Sequence, residues 1–223
     1  MNNGYNARDG YKNAEVVKSY DEKRFTSLYG RTVDVIEKKL ILRAFEYAEV
    51  VPPGRVMDLP CGTGRVSLML AELGFDVTGV DVSEEMVKMS QHKYEAFQQK
   101  YGKFSAMVGD GEKLKFEDNA FDAVVSLRLF GHTPDAVRQN IVREFARVTR
   151  RWCIVAYYLR GTLQCVLRKG KRQKKGVYWN PIALKDVKAD LQSSGLMLRK
   201  CFFLFPGVSE TVVVLAEKSG LKG

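Results

Sequence analysis

The chain has 223 residues, of which 45% are hydrophobic and 28% charged, and its formal net charge is +10. This length suits a single α/β domain with a sizeable core. No apolar run approaches the roughly eighteen residues of a membrane span, and the N-terminus carries no signal-peptide core, so a cytoplasmic protein is predicted. The four cysteines show no CxxC spacing and the two histidines lie far apart, which predicts neither a disulfide framework nor a metal site.

Two helical patterns precede the first predicted strand. The first begins at Asn13, after a polar arm formed by residues 1–12, and contains Tyr20. In the second, apolar residues recur three or four positions apart at Val33, Ile36, Leu40, Ile41, Ala44, Phe45 and Ala48. Pro52 and Pro53 then end the pattern.

The stretch from Arg55 to Arg65 predicts a strand, a glycine turn and a helix start. The apolar run from residue 56 to 59 leads into a turn that holds Gly62 and Gly64. Glycines let a backbone approach a ligand closely, and the first helical turn adds unpaired N–H donors. A second apolar run ends at Asp81, where a carboxylate can accept hydrogen bonds from a ribose diol. These features predict the nucleoside-binding half of an open α/β sheet.

Further strands end at the same predicted edge of the sheet. Residues 104–108 form the third strand, and Asp110 lies in the turn that follows it. Residues 121–127 form the fourth strand, followed by a loop at 128–134. Ligands of open α/β sheets bind at the carboxyl ends of the strands, so both loops belong to the predicted site.

The C-terminal part alternates in the same way and ends in a strand pair. Trp152 to Leu159 is a fifth, apolar strand. Pro181 fits the first position of a helix that Gly195 ends. Residues 197–205 and 211–217 then predict two closing strands around Pro206-Gly207.

The positive charge is concentrated in one part of the chain. Between Glu144 and Asp186 there are eleven Lys or Arg residues and no acid, so removing these eleven from +10 leaves −1 for the rest. The basic segment at residues 160–175 is flanked by Leu163, Val166 and Leu167, and by Tyr178 and Trp179. This pattern suits an anionic ligand, a membrane surface or RNA, and the alternative is a solvated loop or a substrate flap.

The glycine turn resembles the first motif of the class I S-adenosylmethionine-dependent methyltransferases. Asp58, Pro60, Gly62 and Gly64 form the pattern D-x-P-x-G-x-G, in which Pro60 replaces the first glycine of the family's loop. The GxGxxG pattern of a dinucleotide site is absent. The resemblance covers about residues 50–160 by motif and the remainder by element order.

The resemblance implies a Rossmann-like α/β fold: a mostly parallel seven-stranded sheet with an antiparallel last strand, helices on both faces and an N-terminal helical lid. Residues 1–223 would form a single methyltransferase domain. Within it, we expect a lid at 1–50, a cofactor-binding core at 51–160, a basic insertion or flap at 160–180, and a closing helix and strand pair at 181–223.

The same resemblance implies a set of residues for S-adenosylmethionine, whose product is S-adenosylhomocysteine. Asp58 would lie near its amino-acid end, Asp81 at its ribose, and Asp110 at the adenine amino group. The full set is Asp58, Pro60, Gly62, Gly64, Asp81, Val82, Met86, Asp110, Gly111, Ser126 and Tyr20. Plain packing is the alternative for Met86 and Tyr20, and a turn aspartate without a ligand is the alternative for Asp110.

His132 is the candidate general base, because its loop should face the methyl acceptor and its pKa near 6.5 suits proton uptake. Arg128, His132 and Tyr178 are the candidate substrate contacts, although Arg128 could equally face solvent or pair with an acid. The motif (D/N)PP(Y/F) of amino-methylating nucleic-acid enzymes is absent after the fourth strand. Cytosine-C5 methyltransferases use a Pro-Cys nucleophile beyond this strand, but the only Pro-Cys pair of the sequence, Pro60-Cys61, falls inside the cofactor loop. Both nucleic-acid classes are therefore disfavoured.

The sequence therefore predicts a methyltransferase that acts on an oxygen or nitrogen atom of a small molecule. One alternative is an enzyme for RNA or for a membrane-associated lipid, engaged through residues 160–175. The other is a non-catalytic S-adenosylmethionine-binding module that acts through a partner.

Overall fold

The computed structural model describes residues 27–96, 102–174 and 178–220. The predicted arm and Tyr20 lie outside these ranges. The helices are α1 (Leu28–Tyr47), α2 (Arg65–Glu72), α3 (Glu84–Ala96), α4 (Asp135–Val148), α5 (Leu163–Lys174) and α6 (Leu184–Ser193), with a short 3₁₀ turn at Phe130–His132. None of the helices in the described ranges is long and apolar enough to cross a membrane.

Seven strands form one sheet in the order β3-β2-β1-β4-β5-β7-β6. They are β1 (Arg55–Asp58), β2 (Asp76–Asp81), β3 (Phe104–Val108), β4 (Phe121–Ser126), β5 (Thr149–Tyr158), β6 (Leu196–Phe203) and β7 (Thr211–Lys218). Strands β1 to β5 pair in parallel, whereas β7 runs antiparallel to both β5 and β6. The predicted seven-stranded sheet with an antiparallel last strand is confirmed.

Both faces of the sheet are covered, because side chains of a strand alternate between its faces. In β7, Val212, Val214 and Ala216 enter one buried cluster while Val213 and Leu215 enter the other. Helices α4 and α6 pack on the first face, and α1 and α2 pack on the second. The carboxyl ends of β1 to β5 therefore lie at one edge of a sheet that is packed against helices on both faces.

Two local predictions from the C-terminal part differ from the structure. Pro181 does not begin a helix, because α6 starts at Leu184 with Ala183 at its N-cap. Ile182 is instead held in a bridge to the end of β5, donating its N–H to the Tyr158 carbonyl and accepting from the Arg160 N–H. Most of the basic segment, for which the sequence predicts an insertion or flap, is the helix α5.

Candidate functional site

The candidate site lies where β1, β2, β3 and β4 end side by side. The parallel register pairs Asp58 of β1 with Gly79 of β2 and with Val125 of β4, and Asp81 of β2 with Val108 of β3. Residues far apart in sequence are thereby brought to one edge. The predicted cofactor residues within the described ranges all lie in these strand ends or in the turns and the helix that follow them.

The loop after β1 is fixed by backbone hydrogen bonds to both neighbouring strands. Leu59 donates its N–H to the Val125 carbonyl, and Cys61 donates to the Val80 carbonyl. Gly62 and Gly64 have positive φ values of 52° and 83°, which a side chain would disfavour. The Leu59–Pro60 peptide is cis. Since Pro60 has no N–H, the departure from the family motif removes a donor at this position of the turn.

Asp58 is a buried carboxyl group at the base of this loop. The Ser67 hydroxyl of α2 donates a hydrogen bond of 2.6 Å to Asp58 Oδ2. Burial nevertheless dominates and raises the pKa of Asp58 to about 7, against the lowering influence of Ser67 and Arg65. A cation placed beside Asp58 would therefore favour the loss of its proton near neutral pH.

Asp81 is the second buried acid, and it holds the loop from the other side. Its Oδ2 accepts the Gly62 N–H at 2.9 Å and its Oδ1 accepts the Ser83 N–H at 2.9 Å. Burial raises the pKa of Asp81 above its usual value, although these backbone N–H groups act in the opposite direction. Asp58 and Asp81 thus place one carboxyl group on each side of the glycine loop.

Two observations indicate that this edge is shaped for a polar ligand. The Ser126 hydroxyl at the end of β4 is buried and has no hydrogen-bond partner among the described residues, which is rare for a buried polar atom. A Cβ built on Gly62 would meet no atom within 4 Å, so open space adjoins the loop. A ligand with hydroxyl and ammonium groups fits the acceptors that surround this space.

The residues expected beside an adenine ring have different environments. Val82 is exposed next to Asp81, whereas Met86 on α3 is buried. Asp110 is half-buried, and its Oδ1 accepts the Glu112 N–H at 3.0 Å within its own turn. The exposed side chain of Val82 is therefore accessible to a ligand, whereas the side chain of Met86 is packed in the interior.

The loop after β4 is packed against the segment that follows α5. His132 Nδ1 lies 3.0 Å from the Tyr178 carbonyl oxygen, and Asn180 donates its N–H to the Gly131 carbonyl. Because a carbonyl can only accept, Nδ1 carries the proton and Nε2 is the basic nitrogen of His132. A Cβ on Gly131 would come within 1.9 Å of the Tyr158 ring, so this position needs glycine. The hydrogen bond from Nδ1 to the Tyr178 carbonyl holds the ring of His132 in one orientation.

An ion-pair cluster that sequence analysis missed connects α1 to the site. Glu37 of α1 is buried, and its Oε2 accepts from Arg128 Nε at 3.0 Å and Nη2 at 2.7 Å, and from Arg65 Nη2 at 3.3 Å. Arg65 also pairs with Asp34 of α1. Arg128 itself has a φ of 60°, which is uncommon outside glycine. Of the alternatives left open for Arg128, the structure shows the pairing with an acid.

The signal for Glu37 was present in the helical spacing. It lies four residues after Val33 and four before Ile41, on the face whose other members are apolar. An acid at an inward position of an amphipathic helix needs a cationic partner. Two of its partners, Arg65 and Arg128, stand at the first residue of α2 and just after β4, so Glu37 connects α1 to both of these loops.

Comparisons with known proteins agree with this architecture. Residues 56–151 match the family model described as a methyltransferase domain. The chain is 34% identical over 143 residues to a phosphatidylethanolamine N-methyltransferase of Cereibacter sphaeroides, covering 61% of this chain and 68% of that protein. It is 33% identical over 111 residues to a demethylmenaquinone methyltransferase of Thermotoga maritima, covering 49% of this chain and 44% of that protein.

The fold is also shared with solved structures at low identity. Magnesium protoporphyrin IX methyltransferase from Synechocystis PCC 6803, crystallised with S-adenosylhomocysteine, superposes with a TM-score of 0.78 at 19% identity, covering 95% of this chain and 98% of that one. Several curated relatives are matched over only 30% to 52% of their own length.

Proposed function

Because the chain belongs to the class I S-adenosylmethionine-dependent methyltransferases, we propose that it transfers a methyl group from S-adenosylmethionine to an oxygen or nitrogen atom of a small molecule. The observation that carries the proposal is the pair of buried acids, Asp58 and Asp81, on either side of the loop from Gly62 to Gly64. The buried Ser126 hydroxyl, for which the described part of the chain offers no hydrogen-bond partner, adds a third polar group at the same edge.

The residues of the site fit the parts of this cofactor. Asp58 would face its ammonium group, Asp81 its ribose hydroxyls, and Val82 and Asp110 its adenine. When bound, S-adenosylmethionine supplies an electrophilic methyl group on a sulfonium, so the chain's own residues chiefly hold and align the reactants and exclude water. Pro60, Gly62, Gly64 and Gly111 would let the backbone approach it closely.

Titration with S-adenosylhomocysteine tests the proposal. We expect this ligand to bind and NADH not to bind, as measured by isothermal titration calorimetry. The pKa of Asp58 is about 7 in the free protein, and a bound ammonium group lowers it, so binding releases a proton. Affinity should then be weakest below this pKa and rise roughly tenfold from about pH 5.5 to about pH 7.5.

The control for the pH effect is Asp58→Asn, which removes the titrating group and should flatten the profile. Failure of S-adenosylhomocysteine to bind at any pH would refute the proposal. Binding without methyl transfer from a labelled donor to any component of a small-molecule extract would instead favour the non-catalytic binding module.

We infer that His132 is the general base where the acceptor is a hydroxyl group. Its Nδ1 donates to the Tyr178 carbonyl, which leaves Nε2 as the nitrogen that takes up a proton. For such an acceptor, His132→Ala should lower turnover by roughly 10²–10⁴-fold, since a general base contributes that much. Affinity for S-adenosylhomocysteine should stay at the wild-type value.

The matched control is His92→Ala, because His92 is the other histidine of the chain and is exposed on α3. It should leave turnover unchanged. Wild-type turnover in His132→Ala, measured with the labelled donor, would rule out the base role.

A lipid acceptor is the second candidate function. It is favoured by the 34% identity to a phosphatidylethanolamine N-methyltransferase, of which the chain covers 68%. An amine acceptor of this kind would need no strong base. Adding dispersed phospholipids to the labelled-donor reaction distinguishes the two candidates, because only the second predicts label in the lipid phase.

A further inference from the structure

Seven exposed apolar side chains meet on one side of the molecule around the helix α5. Each is more than half exposed, with exposed fractions from 52% to 84%. They come from the start of α1, from the first turns of α5 and from the turn between β6 and β7. We call this set the α5 face: Leu28, Tyr29, Leu163, Val166, Leu167, Phe205 and Val208.

Hydrogen bonds hold the three parts of the α5 face together. Leu163 donates its N–H to the Gly207 carbonyl at 3.1 Å, and Gln164 donates its N–H to the Val208 carbonyl at 2.9 Å. The Gln164 side chain also donates to the Tyr29 hydroxyl at 3.1 Å. The apolar side chains are thus neighbours on a connected surface and are not scattered single residues.

The opposite side of α5 fixes which way the helix faces. Cys165 is buried, and Gln164 Oε1 accepts from the Glu210 N–H and from the Ser209 hydroxyl. Arg168 forms an ion pair of 2.5 Å with the buried Glu210. Because these contacts fix the rotation of α5 about its own axis, Leu163, Val166 and Leu167, at the spacing i, i+3 and i+4, are held outward. Their exposure follows from how the helix is anchored.

The charge of this part of the chain is strongly positive. Residues 160–175 contain seven Lys or Arg residues and no acid. A helix with an exposed apolar side and many cations is suited to the boundary between the headgroups and acyl chains of an anionic membrane. We propose that the α5 face docks the protein on the surface of a bilayer that contains anionic phospholipids.

The composition of the face favours a bilayer over RNA. Single-stranded nucleic acid is bound by aromatic rings on which bases stack, together with cations. Five of the seven side chains are aliphatic, and only Tyr29 and Phe205 are aromatic. Aliphatic side chains have no ring on which a base could stack, but they gain free energy on entering a hydrocarbon region. The proposal does not depend on methyl transfer, and it names a partner that the cofactor site does not require.

Docking in this way would bring the candidate site near the bilayer. Helix α5 follows β5 after a short turn, and β5 is parallel to β4, so the α5 face adjoins the carboxyl edge of the sheet. An acceptor dissolved in or bound to the bilayer could then reach the loops at 128–134 and 178–182.

Flotation of the full chain with lipid vesicles tests the proposal. We expect binding to vesicles of equimolar phosphatidylcholine and phosphatidylglycerol, weaker binding as salt is raised, and little binding to phosphatidylcholine alone. The double variant Val166→Ser/Leu167→Ser should lower vesicle affinity roughly tenfold or more, since two exposed apolar side chains are lost from the interface.

The matched control is Val51→Ser/Leu73→Ser, which removes two exposed apolar side chains at the opposite edge of the sheet, before β1 and β2. It should bind vesicles like the wild type. Binding of S-adenosylhomocysteine by each variant checks the fold. The two proposals can fail separately: loss of S-adenosylhomocysteine binding in the wild type contradicts the proposed function, and absence of vesicle binding contradicts the docking surface. If the wild type binds no S-adenosylhomocysteine, the thermal unfolding transition checks the fold of each variant instead.

Several outcomes would overturn the proposal. Absence of flotation would do so, as would flotation that Val166→Ser/Leu167→Ser leaves unchanged. Salt-sensitive binding to a single-stranded RNA oligonucleotide with no binding to vesicles would assign the face to RNA. A dimer of the wild type that the same double variant dissociates, without vesicle binding, would assign it to a second copy of the chain.

Discussion

Replacing Asp81 with Ala is expected to weaken the binding of S-adenosylhomocysteine by at least about 100-fold. A hydrogen bond to a charged group contributes about 1.5–3 kcal/mol, and the proposed site uses Asp81 for two ribose hydroxyls, so about 3 kcal/mol or more is lost. The Gly62 N–H also loses its acceptor, which loosens the loop on the side of the ligand. Isothermal titration calorimetry on folded variant protein measures the change.

Asp76→Ala is the matched control for this experiment, because Asp76 stands at the other end of the same strand, away from the site. It should bind S-adenosylhomocysteine as the wild type does. Asp81→Asn separates charge from shape, and its affinity should fall between those of the wild type and Asp81→Ala. If Asp81→Ala retained wild-type affinity, the assignment of Asp81 to the ribose would be wrong.

The parts of the fold that follow from local patterns were predictable from the sequence. The run from Val56 to Arg65 contains a strand, two turn glycines and a helix start, and the structure has β1, the loop and α2 there. The alternation of strands with helices likewise predicted a parallel sheet, and the residues assigned to its carboxyl ends lie together at one edge. Short-range periodicity carries this information, because it reports which face of each element is buried.

The parts that depend on tertiary contacts were not predictable in the same way. The sequence around Pro181 is typical of a helix start, yet the backbone N–H and carbonyl groups of Ile182 form hydrogen bonds with Tyr158 and Arg160 at the end of β5. The run of cations in α5 is typical of a solvated loop and does not predict a helix. The helix is anchored by the ion pair between Arg168 and Glu210, which lie 42 residues apart in the sequence. The partners of Glu37 lie 28 and 91 residues away, and no local pattern names them.

Glu37 is where we expect the second large effect. Glu37→Gln should lower the free energy of unfolding by about 2–3 kcal/mol, because it removes the negative member of a buried ion-pair cluster, while Arg65 keeps its ion pair with Asp34. This figure is below the usual cost of breaking a fully buried pair, since the side chains of Arg65 and Arg128 are each 16% exposed and water can reach them. Chemical denaturation of the wild type and the variant measures the difference.

Glu46→Gln is the matched control on the same helix, because Glu46 is exposed and should change stability little. A double-mutant cycle between Glu37→Gln and Arg128→Gln then tests whether the two side chains act together. A coupling near zero would mean that the observed contact contributes nothing to stability.

The affinity of the folded Glu37→Gln variant for S-adenosylhomocysteine separates a structural role of Glu37 from a role in positioning the site. Arg128 adopts a φ of 60° two residues after the end of β4, and Arg65 begins α2 directly after the glycine loop. If Glu37 only stabilised α1, its loss would lower stability and leave the affinity of the folded protein for S-adenosylhomocysteine unchanged. Because one carboxylate oxygen contacts both arginines, we expect Glu37→Gln to weaken that affinity as well, at a temperature where the variant is fully folded. Wild-type affinity under those conditions would restrict Glu37 to holding α1 on the sheet.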